Sequence, residues 1–242
     1  MSIVHTLRGW VFYLALAFYI IILTVLLLAT WPFMSYERRY EVICRPWAKA
    51  VLRLLEAICG VSWTVTGMEN MPDVPCVVLA KHQSAWEPFW LGAFLRRPPC
   101  FIYKKSLHWI PCLGWALASM NMMAIDRSRG RQAFATFMKR GPEFERRGWW
   151  VTLFPEGTRV PPGERVRWKT GGARFACAQG LPVLPVAHNA GVFWPKNSVG
   201  KRPGTIRVEV GPLIQTAGRD PHEVTAEVEA WIESRVNAMP RG

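Results

Sequence analysis

The sequence predicts an α/β layer domain preceded by N-terminal membrane helices, and three observations carry that prediction. The 242 residues are half apolar and only 19% charged, against about a quarter charged in ordinary soluble domains. Such a chain buries a sizeable core and is not intrinsically disordered. From Gly9 to Tyr36 no residue is charged. Beyond Gly60 short β-type runs alternate with runs at helical spacing, the pattern of a sheet with helices packed on it. A mean hydropathy of +0.08 is too low for a bundle of spanning helices. The change of texture divides the chain into residues 1–60, membrane-embedded or interfacial helices, and residues 61–242, the α/β domain.

The apolar run from Trp10 to Met34 exceeds the roughly 20 residues that a membrane span needs. It also exceeds the roughly 7–15-residue core of a cleaved signal peptide. It ends in Trp31-Pro32-Phe33, and Trp10 and Trp31 suit the two edges of a bilayer, so the run is expected to stay attached. Arg38, Arg39, Arg45, Lys49 and Arg53 follow it, while only Arg8 precedes it, a bias that puts the rest of the chain on the cytoplasmic side. Residues 40–59 place Val42, Trp47, Val51, Leu54, Leu55 and Ile58 near helical spacing, with Arg45, Lys49 and Arg53 on another face. Pro46 should kink this helix or begin a new one. Two readings stay open: a helix packed on the domain, or one lying under the headgroups. Either way, two adjacent helices can form a hairpin in one leaflet instead of a full span.

Strands are expected at 62–67, 74–80, 121–125, 149–154, 181–187 and 205–211, and helices at 86–96, 129–147, 170–179 and 221–238. Thirty Lys+Arg against seventeen Asp+Glu give a net charge of +13, which asks for an anionic partner. Sixteen of those cations, against five acids, lie between Arg96 and Arg174. No zinc-finger, RRM or helix-turn-helix signature accompanies them, so no nucleic-acid partner is expected. Thirteen tryptophans favour an anionic membrane surface instead. Six scattered cysteines form no CxxC pair and read as reduced core thiols, with no metal site.

Three short constellations carry chemistry. His82 ends an apolar run, and Glu87 follows five residues later at a helix start. A carboxylate so placed can turn back to hold one ring nitrogen and leave the other free as a base. Ser84 lies between them, but no G-x-S-x-G elbow surrounds it. Phe154-Pro155-Glu156-Gly157-Thr158-Arg159 follows the run Trp149–Leu153. A glycine turn with a hydroxyl and a guanidinium suits a phosphate, which Arg can grip with two prongs. Ile125-Asp126-Arg127 ends another run, and ligands in α/β sheets sit at the carboxyl ends of strands.

Together these residues resemble the glycerolipid acyltransferases, and within them the bacterial 1-acyl-sn-glycerol-3-phosphate acyltransferases. KHQSAWE (81–87) is similar to the family's H-x4-D motif, FPEGTR (154–159) matches its third motif letter for letter, and IDR (125–127) stands where the second ends. LPVLPVA with Pro185 looks like the fourth, and YKKSLHWIPCLGWAL resembles the lysine-rich segment before the second. The resemblance covers about residues 75–190. Lys81 and Glu87 stand where the family usually has Asn and Asp, and Ala124 replaces an aromatic. Glu keeps the charge and adds a methylene.

The resemblance implies a fold, that of the acyltransferase α/β domain over residues 61–242, and an activity. A fatty acyl group passes from acyl-CoA or an acyl carrier protein thioester to the 2-hydroxyl of lysophosphatidic acid, giving phosphatidic acid. His82 and Glu87 would be catalytic. Lys105, Arg127, Glu156, Gly157, Thr158, Arg159 and Pro185 would bind substrate, with no metal and no cofactor. The implied location is the cytoplasmic face of a bacterial inner membrane. Another lyso-lipid acceptor, such as lyso-ornithine lipid, would use nearly the same motifs. A non-catalytic protein binding anionic membrane is a more distant alternative.

Overall fold

The computed structural model describes residues 2–120, 122–125 and 130–240. Helix α1 (Ile3–Thr30) opens the chain. The short α2 (Tyr36–Arg39) runs through a π-helical segment, Tyr40–Cys44, into α3 (Arg45–Cys59). Pro46 lies in the first turn of α3, where a missing N–H costs nothing, so it begins a helix rather than breaking one. Gly60, at φ +69°, ends α3 and turns the chain into the sheet.

The sheet has seven strands: β1 (Val61–Thr66), β2 (Val77–Ala80), β3 (Pro99–Lys104), β4 (Met123–Ile125), β5 (Trp150–Leu153), β6 (Val183–His188) and β7 (Gly204–Val210). Their order is β1-β7-β6-β2-β5-β3-β4. From β6 to β4 all neighbours are parallel; β7 is antiparallel to β6 and parallel to β1. Six strands lie close to where the sequence placed them. β3 was not anticipated, because PCFIYK begins at a Pro-Pro pair and runs into Lys104-Lys105. A proline is tolerated there because it is the first strand residue.

Alternate strand residues face opposite layers. Val78 and Ala80 pack with Leu52 and Leu55 of α3 and Trp90 of α4 (Glu87–Phe94). Val77 and Leu79 pack with Phe137 of α6 (Gly130–Arg146), Phe175 of α7 (Gly171–Gln179) and Val228 of α9 (Pro221–Ala238). Two short helices, α5 (Leu113–Ser119) and α8 (Ala190–Phe193), fill loops that the sequence left unassigned. All described strands, and α3, therefore share one continuous sandwich. Helix α3 packs on the domain, with Lys49 and Arg53 outward.

Helix α1 lies along the domain over its whole length. Gly9, Phe12, Leu16, Leu23, Thr24 and Leu27 are buried at helical spacing. Near one end a Cβ on Gly9 would sit 2.1 Å from the Val199 carbonyl oxygen, so only glycine permits that approach. Near the other, Thr24 Oγ1 donates to the Cys112 carbonyl at 3.0 Å. Between them the Lys201 ammonium lies 3.6 Å from the Tyr13 ring centroid, 4.7 Å from that of Trp194 and 4.9 Å from that of Phe12. Such a desolvated cation–π cage holds by about 2 kcal/mol. The outer face, with Leu14, Phe18, Ile21, Val25 and Trp31, is exposed.

Candidate active site

β2 ends at Ala80, and the chain then turns through 81–86 into α4. Glu87 is the first residue of α4 with Pro88 behind it, and its carboxylate turns back onto the amides of the preceding turn. Glu87 Oε1 accepts from Gln83 N at 2.7 Å and from Ser84 N at 2.6 Å. Its other oxygen, Oε2, lies 3.5 Å from His82 Nδ1. That separation is longer than a directed hydrogen bond, yet both atoms are buried and, among the described residues, have no other partner. Such a geometry tightens when the imidazole is charged. The extra methylene of Glu supplies the reach to hold two amides and the ring together.

The electrostatics favour an ionised Glu87. Burial acts to raise its pKa, but the His82 contact, His188 and the Gln83 amide outweigh it and hold the carboxyl below its usual range. His82 stacks on Phe154, with ring centroids 4.1 Å apart and planes 16° from parallel. The ring is thus fixed by a carboxylate at its edge and an aromatic on its face, leaving Nε2 as the nitrogen able to take a proton. Ser84 is fully buried and its hydroxyl accepts from Trp86 N, so it shapes the turn.

The FPEGTR loop closes on the same strand end. Val160 N donates to His82 O at 2.8 Å, which brings the backbone that carries Arg159 up to the histidine. Among the described residues no carboxylate pairs with Arg159. Gly157 has φ +69°, and a Cβ there would lie 2.7 Å from Lys169 Nζ. The turn is closed by Gly157 N donating to Phe154 O, and Thr158 is exposed. Glu156 turns inward: Oε2 accepts from His82 N at 2.7 Å, and Oε1 lies 2.8 Å from Lys81 Nζ. Lys81 Nζ also meets Glu233 Oε1 of α9 at 2.5 Å. One buried ammonium is therefore shared by two carboxylates.

Burial lowers the pKa of Lys81, but the two carboxylates outweigh it and hold the ammonium charged. A single cation cannot offset both acids: burial pushes the Glu156 carboxyl from 4.5 up to about 7, with Lys81 opposing. A carboxyl raised in the fold adds stability below its unfolded pKa and loses it as pH rises through the folded one. Relative to Glu156→Gln, the parent should accordingly lose melting temperature between about pH 4.5 and about pH 7 and run parallel above that. Thermal melts of both proteins across that range check the sign; a parent that gains on the variant as pH rises contradicts it.

The structure adds a residue that the sequence did not single out. Val186 of β6 pairs with Ala80 of β2, so the next steps of the register bring His188 alongside His82. His188 is buried, its Nε2–H donating to Lys81 O at 2.9 Å and its Nδ1 accepting from Ala190 N at 3.2 Å. Burial lowers its pKa against the pull of Glu87, and Nε2 lies 3.5 Å from Glu87 Oε1. A neutral His188 thus fixes the strand end and flanks the carboxylate. Its only sequence signal was a polar residue ending an otherwise apolar strand.

Not all anticipated residues gather here. Lys105 begins a 3-10 turn, Lys105–Trp109, after β3, which is separated from β2 by β5. It is exposed at the same carboxyl edge, and no polar contact joins it to His82 or the FPEGTR loop among the described residues. Asp126 and Arg127 lie outside the described residues; β4 ends one residue earlier, with Ile125 paired to Lys104. Pro185 is buried in mid-strand, paired with Leu79, its ring against Gly211, a packing position. No group of three or more His, Cys, Asp or Glu suited to a metal ion occurs among the described residues.

Comparisons with known proteins bear on the family. The sequence profile of the acyltransferase family matches residues 62–189. A 1-acyl-sn-glycerol-3-phosphate acyltransferase of Pseudomonas aeruginosa is 40% identical over 96% of this chain and 91% of its own length. A chloroplastic one of Brassica napus is 31% identical over 88% of this chain, which spans 63% of that longer protein. The crystal structure of the 1-acyl-sn-glycerophosphate acyltransferase PlsC from Thermotoga maritima superposes with a TM-score of 0.80. It covers 96% of this chain and 94% of its own at 24% identity, which shows the shared fold. The chain belongs to the acyltransferase family, and within it to the 1-acyl-sn-glycerol-3-phosphate acyltransferases.

Proposed function

We propose that this chain transfers a fatty acyl group from a thioester to the 2-hydroxyl of 1-acyl-sn-glycerol-3-phosphate, making phosphatidic acid. The observation that carries the reading is the pair His82–Glu87, locked by backbone amides and joined to a loop that presents Arg159. His82 Nε2 takes the hydroxyl proton as the oxygen attacks the thioester carbonyl, and Glu87 stabilises the imidazolium. The new C–O bond forms, the C–S bond breaks, and the proton passes to the departing thiolate. With a pKa of about 8.5 a thiolate leaves with little acid assistance, so one base is sufficient apparatus. Arg159 holds the acceptor phosphate. Gly157 and Thr158 form the turn beneath it, Glu156 ties that turn to His82, and Pro185 backs the strand end. Positioning of this kind lowers barriers by several kcal/mol.

The membrane is part of the same reading. Residues 1–60 hold the chain on the bilayer and 61–242 carry the chemistry, the two sharing a core through α3 and Phe12. A perpendicular α1 would drag the domain surfaces docked near Gly9 and Thr24 into lipid. Lying flat, with its outer face in one leaflet, it leaves the domain at the surface. Lys49, Arg53 and the basic central segment then face anionic headgroups on the cytoplasmic side of a bacterial inner membrane.

The test is acyl transfer by the purified full-length chain, with acyl-CoA and acyl carrier protein donors offered separately to lysophosphatidic acid and to lyso-ornithine lipid. Lysophosphatidic acid should be the faster acceptor. Arg159→Lys, which keeps charge but loses two-pronged geometry, should raise its KM roughly tenfold or more while leaving the donor KM unchanged. Faster turnover of the phosphate-free acceptor would overturn the acceptor assignment.

A further inference from the structure

One exposed apolar feature lies outside both the site and α1. Between β3 and α5 the chain makes a compact turn that carries Trp109, 83% exposed, and Ile110, 44% exposed, and the first turn of α5 adds Trp115, 56% exposed, beside them. The turn is rigid. Tyr103 OH meets His108 Nε2 at 3.0 Å, and Gly114 N donates to Ile110 O at 2.8 Å. A Cβ on Gly114 would lie 2.1 Å from His108 O, and Cys112 adopts φ +63°. Thr24 of α1 bonds the Cys112 carbonyl at 3.0 Å, so the tip is fastened to the membrane-facing helix. Ala116 of α5 and Met120, which caps it, bury in the same layer as Leu23 and Leu27 of α1. Two tryptophans and an isoleucine this exposed are left uncovered among the described residues.

We infer that this Trp109–Ile110–Trp115 tip is a second membrane contact, a lip that seats the substrate-binding edge of the sheet among the headgroups. Three features fix a lipid bilayer as the occupant. The tip is tied through Thr24 and the Cys112 carbonyl to α1, which alone has the length and hydropathy of a membrane helix among the described residues. Exposed Lys104 and Lys105 flank it on the chain, the arrangement of apolar insertion beside anionic headgroups. Tryptophan is the side chain that settles at the interface. The lip also emerges from the carboxyl end of β3, the edge at which parallel β2 and β5 deliver His82 and the FPEGTR loop. An acceptor can therefore reach that edge without leaving the bilayer. The inference rests on the proposed acceptor being a membrane lipid, but the insertion itself can be read without any turnover.

Two measurements on the full chain, with α1 intact, decide it. In the first, Ile110→Cys carries an environment-sensitive fluorophore and is mixed with vesicles of phosphatidylglycerol and phosphatidylethanolamine. The emission should shift to the blue; an emission that stays aqueous while the protein sediments with the vesicles overturns the lip. In the second, Trp109→Ser/Trp115→Ser is assayed with long-chain lysophosphatidic acid in vesicles and with a short-chain analogue below its micellar concentration. The vesicle KM should rise roughly tenfold with the soluble-acceptor kinetics unchanged. Equal losses on both acceptors, or none on either, contradict the inference. Absence of transfer by the parent would instead defeat the proposed reaction and leave the fluorescence result standing.

Discussion

Replacing Glu87 by Gln should lower kcat by up to about 10⁴, with the KM for lysophosphatidic acid nearly unchanged. The figure follows the Asp→Asn change in a protease triad, and the geometry here gives the reason. Glu87 Oε1 is held by two amide donors, and among the described residues Oε2 has only His82 Nδ1 to face. An amide can keep the first set but removes the charge opposite the imidazolium, and its NH₂ group in the second position favours the wrong tautomer. Glu87→Asp keeps the charge and shortens the reach, so it should lose less, on the order of tenfold to a hundredfold. The ranking parent, Asp, Gln, His82→Ala in kcat is the expected result. A Gln variant as active as the parent would remove the carboxylate from the mechanism.

Lys81→Met should be among the most destabilising single changes in the chain. The methionine removes the one cation between Glu156, whose side chain is fully buried, and Glu233. Breaking a buried pair from one side costs about 3–5 kcal/mol, a large part of a typical stability of about 5–15 kcal/mol. Glu233→Gln leaves one ammonium with one carboxylate and should cost far less, and adding it to Lys81→Met should recover part of the loss. Urea unfolding in detergent reads all three. A Lys81→Met protein as stable as the parent would mean that the shared ammonium does not hold the loop. Because the same Glu156 accepts from His82 N, the loss should also appear in kcat at temperatures where the variant is folded.

Much of this was legible in the sequence, and each exception has a physical cause. Strands such as Val183–His188 were visible as short apolar runs, and His82, Glu87 and Arg159 stood out because each lies within a few residues of its motif partners. His188 and Glu233 were not visible, since their partner, Lys81, lies 107 and 152 positions away. Sheet register and the path of α9 bring them together, and no local spacing encodes that. β3 was hidden by the prolines and lysines at its ends. For α1, sequence gave length and hydropathy but not direction: Gly9, Thr24 and Lys201 decide that it lies along the domain. Composition cannot distinguish one apolar face from two.

The central claim is that the His82–Glu87 pair drives acyl transfer to a lysophosphatidic acid hydroxyl. The most direct measurement is thiol release from an acyl thioester, with and without lysophosphatidic acid, by the parent and by His82→Ala at equal folded concentration. The account predicts release that depends on the acceptor, matches phosphatidic acid formed one for one, and disappears in the variant. Undiminished acceptor-dependent release by His82→Ala would contradict it.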